Sequence, residues 1–289
     1  MTKNVLCYIT WDFNPILFKF NIFGHDFPIG LYGVLFALVF VVAQMVMKYI
    51  FKTEGKSIED LDQLTINIVL GIIIGARLGH FVFYEWEYLF AEPLNWSIKL
   101  VVPPYAGLAS HGGAIGIFLA IYFYSRKRPD QPLLWVLDRI AIVAGIGGLI
   151  RIGNFLNSEI YGIPTDLPWG VKFMSEPNPD LLPIVPRHPT QIYEFVFCVL
   201  LFIITFWMWK KKAPFLSNGI VFCTFMILLF TFRFFIEFLK NDQSEFEGSM
   251  FLNMGQFLSI PLVLGSTILL FYLSRRSNAA DEVAASEGS

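Results

Sequence analysis

Seven stretches of largely apolar residues, near 29 to 50, 63 to 84, 106 to 125, 134 to 156, 191 to 210, 218 to 239 and 254 to 273, constrain this chain more than any other feature. A helix needs about 20 such residues to cross a hydrocarbon core about 30 Å thick, whereas a barrel strand needs about half as many and alternates in polarity. The lengths therefore predict an all-α polytopic membrane protein with seven transmembrane helices. Composition agrees, with 55% hydrophobic and 17% aromatic residues against 15% charged.

Orientation follows from the loop lysines and arginines, which concentrate on the cytoplasmic side of a membrane. One side carries Lys48, Lys52, Lys56, Arg126, Lys127, Arg128, Lys210, Lys211, Lys212, Arg275 and Arg276. The other has only Lys3, Lys19, Lys99, Lys172, Arg187 and Lys240, spread over longer segments. The N-terminus is thus expected outside and the C-terminus in the cytoplasm. Residues 1–276 are expected to form a single integral-membrane domain, and 277–289, small, polar and acidic, a disordered cytoplasmic tail. The first 28 residues lack an apolar run ending in a small-residue cleavage site, so they read as an interfacial arm. The outer segment 157–190 is long enough to cover a site.

Several chemistries find no support. Cys7, Cys198 and Cys223 have no close spacing, and the four histidines form no helical zinc-binding pair, so no metal site is expected. There is no phosphate-binding Gly-rich loop, dinucleotide fingerprint or nucleophile elbow, and no cofactor is expected. The basic loops are explained by topology and anionic lipid, so nucleic acid is not an expected partner.

Arg77, Arg151 and Arg233 lie inside spans, where an arginine costs about 2.5–3.5 kcal/mol near the bilayer centre on insertion scales and normally meets a polar partner. With the orientation above, all three fall in the outer half of the membrane. Tyr32, His80, Tyr84, Ser110, His111, Asn154, Asn157, His188, Gln191, Glu194 and Glu237 reach the same level. Such convergence suits an anion. Several members also have a plain explanation, Tyr32 and Tyr84 as interfacial aromatics, Arg77 and Arg233 as snorkelling side chains, the glycines after His111 and from Gly145 to Gly153 as helix packing, whereas Arg151, followed within a turn by Asn154, is harder to dismiss. Arg139, beside Asp138 at the cytoplasmic end of the fourth span, is explained as an ion pair or by snorkelling. A lipid site, a transporter or receptor cavity and snorkelling all remain open at this level.

The segment Arg151-Ile152-Gly153-Asn154-Phe155-Leu156-Asn157-Ser158-Glu159-Ile160-Tyr161-Gly162 resembles the signature of the bacterial prolipoprotein diacylglyceryl transferases. That signature begins with Gly where this chain has Ile150. Similar matches occur at Ser110-His111-Gly112-Gly113, Arg187 to Glu194, Arg233 to Phe238 and Met254 to Pro261, with shorter ones at Tyr32-Gly33 and Gly75 to Gly79. The resemblance implies transfer of the diacylglyceryl group of phosphatidylglycerol to the lipobox cysteine of a preprolipoprotein. A thioether forms and glycerol 1-phosphate leaves, at the outer face of the bacterial cytoplasmic (inner) membrane. It makes residues 1–276 a catalytic domain whose partners are phosphatidylglycerol, the lipobox signal peptide and membrane lipids.

The resemblance carries activity onto Tyr32, His111, Arg151, Asn154, Gly162 and Arg233, with Glu159 and Glu237 at matching polar positions. Arg151 and Arg233 suit the departing phosphate, since guanidinium binds phosphate through paired N–H donors. His111 suits deprotonation of the thiol or orientation of the lipid. Tyr32, Asn154 and Asn157 suit binding of lipid oxygens, Glu237 suits fixing Arg233, and Arg77 suits lipid binding from its depth. The outer segment through Trp169 and Phe173 suits reception of the peptide. A lipid-phosphate transferase that breaks a phosphorus–oxygen bond and an anion transporter are the alternatives, although no duplicated segment supports the latter.

Overall fold

Each of the seven apolar stretches is helical over most of its described residues in the computed structural model of the chain, which describes residues 8–22, 25–101, 107, 109–175, 184–212, 218–241 and 251–287. Cys7, positions 106 and 108 at the start of the third expected span, and 176–183 of the long outer segment lie outside these residues. The helices are α1 (Leu31–Thr53), α2 (Ile58–Tyr84), α3 (Trp86–Ala91), α4 (Pro93–Val101), α5 (Ser110–Arg126), α6 (Leu133–Ala144), α7 (Leu149–Leu156), α8 (Thr190–Lys212), α9 (Ile220–Ile236) and α10 (Met254–Glu287). A 3-10 turn, Gly145–Gly148, joins α6 to α7, and another, Glu237–Leu239, follows α9.

Among the described residues, six helical segments are long and apolar enough to cross a membrane, where the sequence predicts seven. The exception is α5, whose 17 residues span only about 26 Å at about 1.5 Å per residue. Helix boundaries follow local chemistry. Ser57 caps α2 by accepting the Asp60 N–H at 3.0 Å, with Glu59 and Asp60 facing the positive end of the helix dipole. At α10, Asn253 and Gln256 form a reciprocal capping box, with N–H to side-chain oxygen distances of 2.9 and 3.1 Å. That helix runs on to Glu287, across most of the stretch expected to be a disordered tail, where alanines 279, 280, 284 and 285 favour helix.

The chain forms two compact units, one of residues 1–46 and 140–289, the other of 47–139. In the first, α8 packs on the Gly145–Gly148 turn, α7 and α9, and α9 packs on α10. Its non-helical segments hold two small sheets that the sequence reading did not anticipate. Strand β1 (Ile9–Trp11) pairs in parallel with β4 (Val171–Phe173), while β2 (Ile16–Ile22) and β3 (His25–Gly30) form a hairpin. Leu17 and Phe18 on the hairpin are exposed, as suits an interfacial arm. Trp11, Phe155, Tyr161 and Phe173 stack around the β1–β4 pair, with ring centroids 4.7–5.6 Å apart. This aromatic cluster ties the end of α7 to the outer segment. Phe173, expected with Trp169 to meet a peptide, is instead fully buried here, whereas Trp169 is exposed.

In the second unit, α2 and α5 pack through glycines. A Cβ at Gly75 would lie 2.4 Å from the Gly112 carbonyl oxygen, and one at Gly116 would lie 1.9 Å from that of Gly71. No side chain fits between these backbones, which is the small-residue packing known for membrane helices.

Candidate functional site

The site is assembled in the first unit, beginning with the glycine turn. A Cβ at Gly148 would sit 2.4 Å from Cys198 Cβ, and one at Gly145 would sit 2.9 Å from the Cys198 carbonyl oxygen, so only glycine lets this turn press against α8. One helical turn onward, the same approach brings Arg151 to Glu194. Because Gly145 and Gly148 make the contact, Ile150 can stand where the resembled signature has glycine.

From Arg151 a chain of alternating charge runs across four elements: α7, α8, α9 and the 3-10 turn that Lys240 caps. Arg151 Nε lies 3.0 Å from Glu194 Oε2, and Lys240 Nζ donates to Glu194 Oε1 at 2.6 Å. Lys240 also lies 3.5 Å from Glu237 Oε1, which is 2.9 Å from Arg233 Nη2. The three inner side chains are almost closed to solvent, Lys240 at 2%, Glu237 at 4% and Glu194 at 7% exposure, while Arg151 and Arg233 remain 26% and 35% exposed. Three cations against two anions leave one net positive charge. Buried charges survive only when paired, and removing one partner of such a pair costs about 3–5 kcal/mol.

Neighbouring groups hold the two ends. Asn253 donates to Glu237 Oε2 at 3.2 Å, and a Cβ at Gly255 would meet the Glu237 carboxylate carbon at 2.8 Å, so the start of α10 is shaped around that glutamate. At the other end, Arg151 Nη1 donates to Asn154 Oδ1 at 3.3 Å. Tyr32 covers Gly153, where a Cβ would lie 2.8 Å from its ring.

Beyond α7 the backbone is strained. Ser158 and Ile160 both have φ near 56°, a left-handed conformation that costs a β-branched residue such as Ile160 about 1–3 kcal/mol. Between them Glu159 points its carboxylate back to Asn154 Nδ2 at 3.4 Å and Asn157 Nδ2 at 3.1 Å. Gln191 Nε2 donates to the Glu159 carbonyl at 2.6 Å, and Thr190 Oγ1 to that of Ile160 at 3.0 Å, which keeps the loop in place. Gly162 then runs against Leu239 and Lys240. A Cβ there would lie 2.3 Å from the Leu239 carbonyl oxygen, and the Ile163 N–H donates to that oxygen at 2.9 Å. His188 follows the same segment, and burial pushes its imidazole pKa below the ordinary value.

Of the ten residues singled out from the sequence, eight lie in this unit: Tyr32, Arg151, Asn154, Asn157, Glu159, Gly162, Arg233 and Glu237. Arg77 and His111 belong to the other. Arg77 is buried, donating to the carbonyls of Lys99, Leu100 and Gly107, with its guanidinium 4.7 Å from the centre of the Phe81 ring. His111 is exposed on the first turn of α5. Gly112 and Gly116 after it pack against α2, which accounts for them without a ligand. Among the described residues no three His, Cys, Asp or Glu side chains gather into a metal-holding group. A groove of about 620 Å³ in this second unit runs along α2 and α5 and is lined by Leu70, Gly71, Ile74 and Gly75 among others, but by no residue of the charged chain.

Glu194 and Lys240 complete the network and were not among the ten. Glu194 sits in one of the matching motifs at the same depth as the arginines, a signal that was available. Lys240 counts as an outer-loop charge in any topology reading. Only its spacing of three from Glu237 hints at its burial.

Sequence comparison adds an independent line. The family described as prolipoprotein diacylglyceryl transferase matches residues 15–272. A protein of Chloroherpeton thalassium named phosphatidylglycerol–prolipoprotein diacylglyceryl transferase is 41% identical over 268 residues, covering 91% of this chain and 94% of that protein. Proteins of the same name from Porphyromonas gingivalis and Tolumonas auensis are 42% and 38% identical, over 91% and 93% of this chain and 94% and 98% of their own lengths.

Proposed function

The chain belongs to the prolipoprotein diacylglyceryl transferase family, and from that membership we propose how its charged network serves the reaction. The protein is a transferase that moves the diacylglyceryl group of phosphatidylglycerol to a prolipoprotein, a step of lipoprotein maturation. In the proposed chemistry, the sulfur of a lipobox cysteine bonds to the glyceryl carbon attached to the phosphate. The carbon–oxygen bond breaks, its electron pair leaves with the phosphate oxygen, and glycerol 1-phosphate departs with one more unit of negative charge than the diester carried.

One observation carries this reading: Arg151 and Arg233 are tied to one carboxylate–lysine–carboxylate bridge while their guanidinium groups stay partly open. Paired N–H donors of this kind match phosphate oxygens, and donors fixed in advance where charge develops are worth about 3–4 kcal/mol each in a water-poor site. Arg151 and Arg233 thus take the leaving phosphate. Asn154, Asn157 and Tyr32 bind glycerol or ester oxygens beside them. Glu159 orients the two asparagines, Glu237 orients Arg233, and Gly162 lets the backbone of 239–240 approach. His111 takes the thiol proton. Arg77, whose donors meet backbone carbonyls, holds the backbone at Lys99, Leu100 and Gly107 rather than the phosphate.

We place the protein in the bacterial inner membrane with seven spans, α5 included. Its N-terminus is outside and its C-terminus in the cytoplasm, with the site toward the outer leaflet, in keeping with the loop charges. The test is transfer by the purified protein in phosphatidylglycerol vesicles, using a lipobox peptide and mass analysis of both products. A diacylglyceryl thioether together with glycerol 1-phosphate is expected. Free diacylglycerol with an unmodified peptide would refute this chemistry.

A further inference from the structure

The phosphate site leaves one buried cation without a role. Lys240 has a side chain only 2% exposed, and its ammonium lies between Glu194 and Glu237, each of which also holds one arginine. A compact ammonium drawn out of water needs such compensation, yet the two carboxylates already have cationic partners in Arg151 and Arg233. Two guanidinium groups and two carboxylates would cancel on their own. The lysine makes the sum positive, and it occupies Oε1 of Glu194, so that Arg151 meets that carboxylate through the other oxygen alone.

Its position is enforced by the backbone. Gly162 pairs with Lys240 as an isolated β-bridge, and Asn241 Nδ2 donates to the Gly162 carbonyl at 3.3 Å. The space that only glycine leaves at 162 is taken by the Leu239 carbonyl oxygen, so the backbone that carries Lys240 lies close against this segment. We infer that Lys240 is a positioning residue of the phosphate site: by bridging Glu194 and Glu237 it sets the spacing of Arg151 and Arg233 and keeps their outer donors free. The inference rests on the reading of those arginines as phosphate ligands.

Purified protein in phosphatidylglycerol vesicles tests it, with Lys240→Met, Lys240→Arg and the double variant Glu194→Gln/Lys240→Met. Wild type is measured first, and a wild type that makes no thioether strikes the transferase reading itself rather than the lysine. Lys240→Met is expected to lower kcat on the order of a hundredfold while KM for the peptide stays within about threefold, because the lost effect falls on the transition state. Inhibition by added glycerol 1-phosphate weakens about tenfold as the site loses its net charge. Lys240→Arg keeps the charge and recovers most of kcat.

The double variant removes one charge of each sign and serves where Lys240→Met does not accumulate in the membrane. It stays slow because Arg151 has lost its ionic partner. In whichever of the two accumulates, a kcat and a glycerol 1-phosphate inhibition both within about threefold of wild type overturn the inference. In Lys240→Met, which alone changes the net charge, lost turnover with unchanged inhibition by glycerol 1-phosphate marks a structural role and overturns it as well.

Discussion

Arg139 and Arg151 lie in the same apolar run, each paired with a glutamate from another helix or turn, and they differ in how far their donors are used. Arg139 gives Nε and Nη2 to Glu54, at distances down to 2.6 Å, and Nη1 to the Trp135 carbonyl, and its guanidinium lies 4.3 Å from the Trp135 ring centre. It is 10% exposed. Arg151 makes one ionic contact through Nε and one long hydrogen bond through Nη1, and is 26% exposed. Membrane depth alone therefore does not mark a ligand site. In the proposed reading, a saturated arginine serves the fold, and one anchored through a shared network with donors to spare serves a ligand.

Five substitutions and a pH series press on that distinction, beginning with the largest effect. Arg151→Ala and Arg233→Ala should each lower kcat by about a hundredfold to a thousandfold in the vesicle assay, the range for removing a preorganised donor. Gly162→Ala puts a carbon 2.3 Å from the Leu239 carbonyl oxygen. It should displace Lys240 and cost at least about tenfold in turnover, since small misplacements at a reacting centre are expensive.

Arg139→Met should do the reverse. Breaking its pair with Glu54 is expected to cost about 3–5 kcal/mol of stability, visible as a lower Tm in detergent, while turnover per folded molecule stays within about twofold. Strong loss of turnover there, with Tm unchanged, would erase the distinction. Arg77→Met belongs with Arg139: a lower Tm is expected and inhibition by glycerol 1-phosphate should not change.

The smallest effect concerns pH. Burial holds the His188 pKa below its ordinary value near 6.5, so the unfolded chain binds more protons than the folded one in the window between. Stability from this group is full above about pH 6.5 and is lost as pH falls through the lower, folded pKa. Wild type should thus lose more Tm than His188→Gln between pH 7.5 and pH 5, and parallel curves would remove the group from the account.

Much of this was legible in the chain. The six described helical segments long enough to cross a membrane follow from apolar length, and the signature from Arg151 to Gly162 led to the strained turn that holds Glu159. The small sheets were not visible, because β1 and β4 are only three residues each and pair across about 160 positions of sequence, beyond any local pattern. Nor was the centre of the network. Lys240 looks like a loop charge until Gly162, nearly eighty residues earlier, is seen to draw it inward. The sequence sets Arg77 below Arg151 through its weaker match, but how far its donors are used is not readable there: the carbonyls of 99, 100 and 107 accept from them.

In the proposed reaction Arg151 and Arg233 together receive the phosphate that leaves the lipid. The direct measurement is glycerol 1-phosphate released per thioether formed, for wild type and for the Arg151→Ala/Arg233→Ala protein in phosphatidylglycerol vesicles with a lipobox peptide. The account predicts one released per thioether for wild type, and neither product above background for the variant at equal membrane level. Thioether formation by the variant at near wild-type rate, or thioether without released glycerol 1-phosphate in wild type, would contradict it.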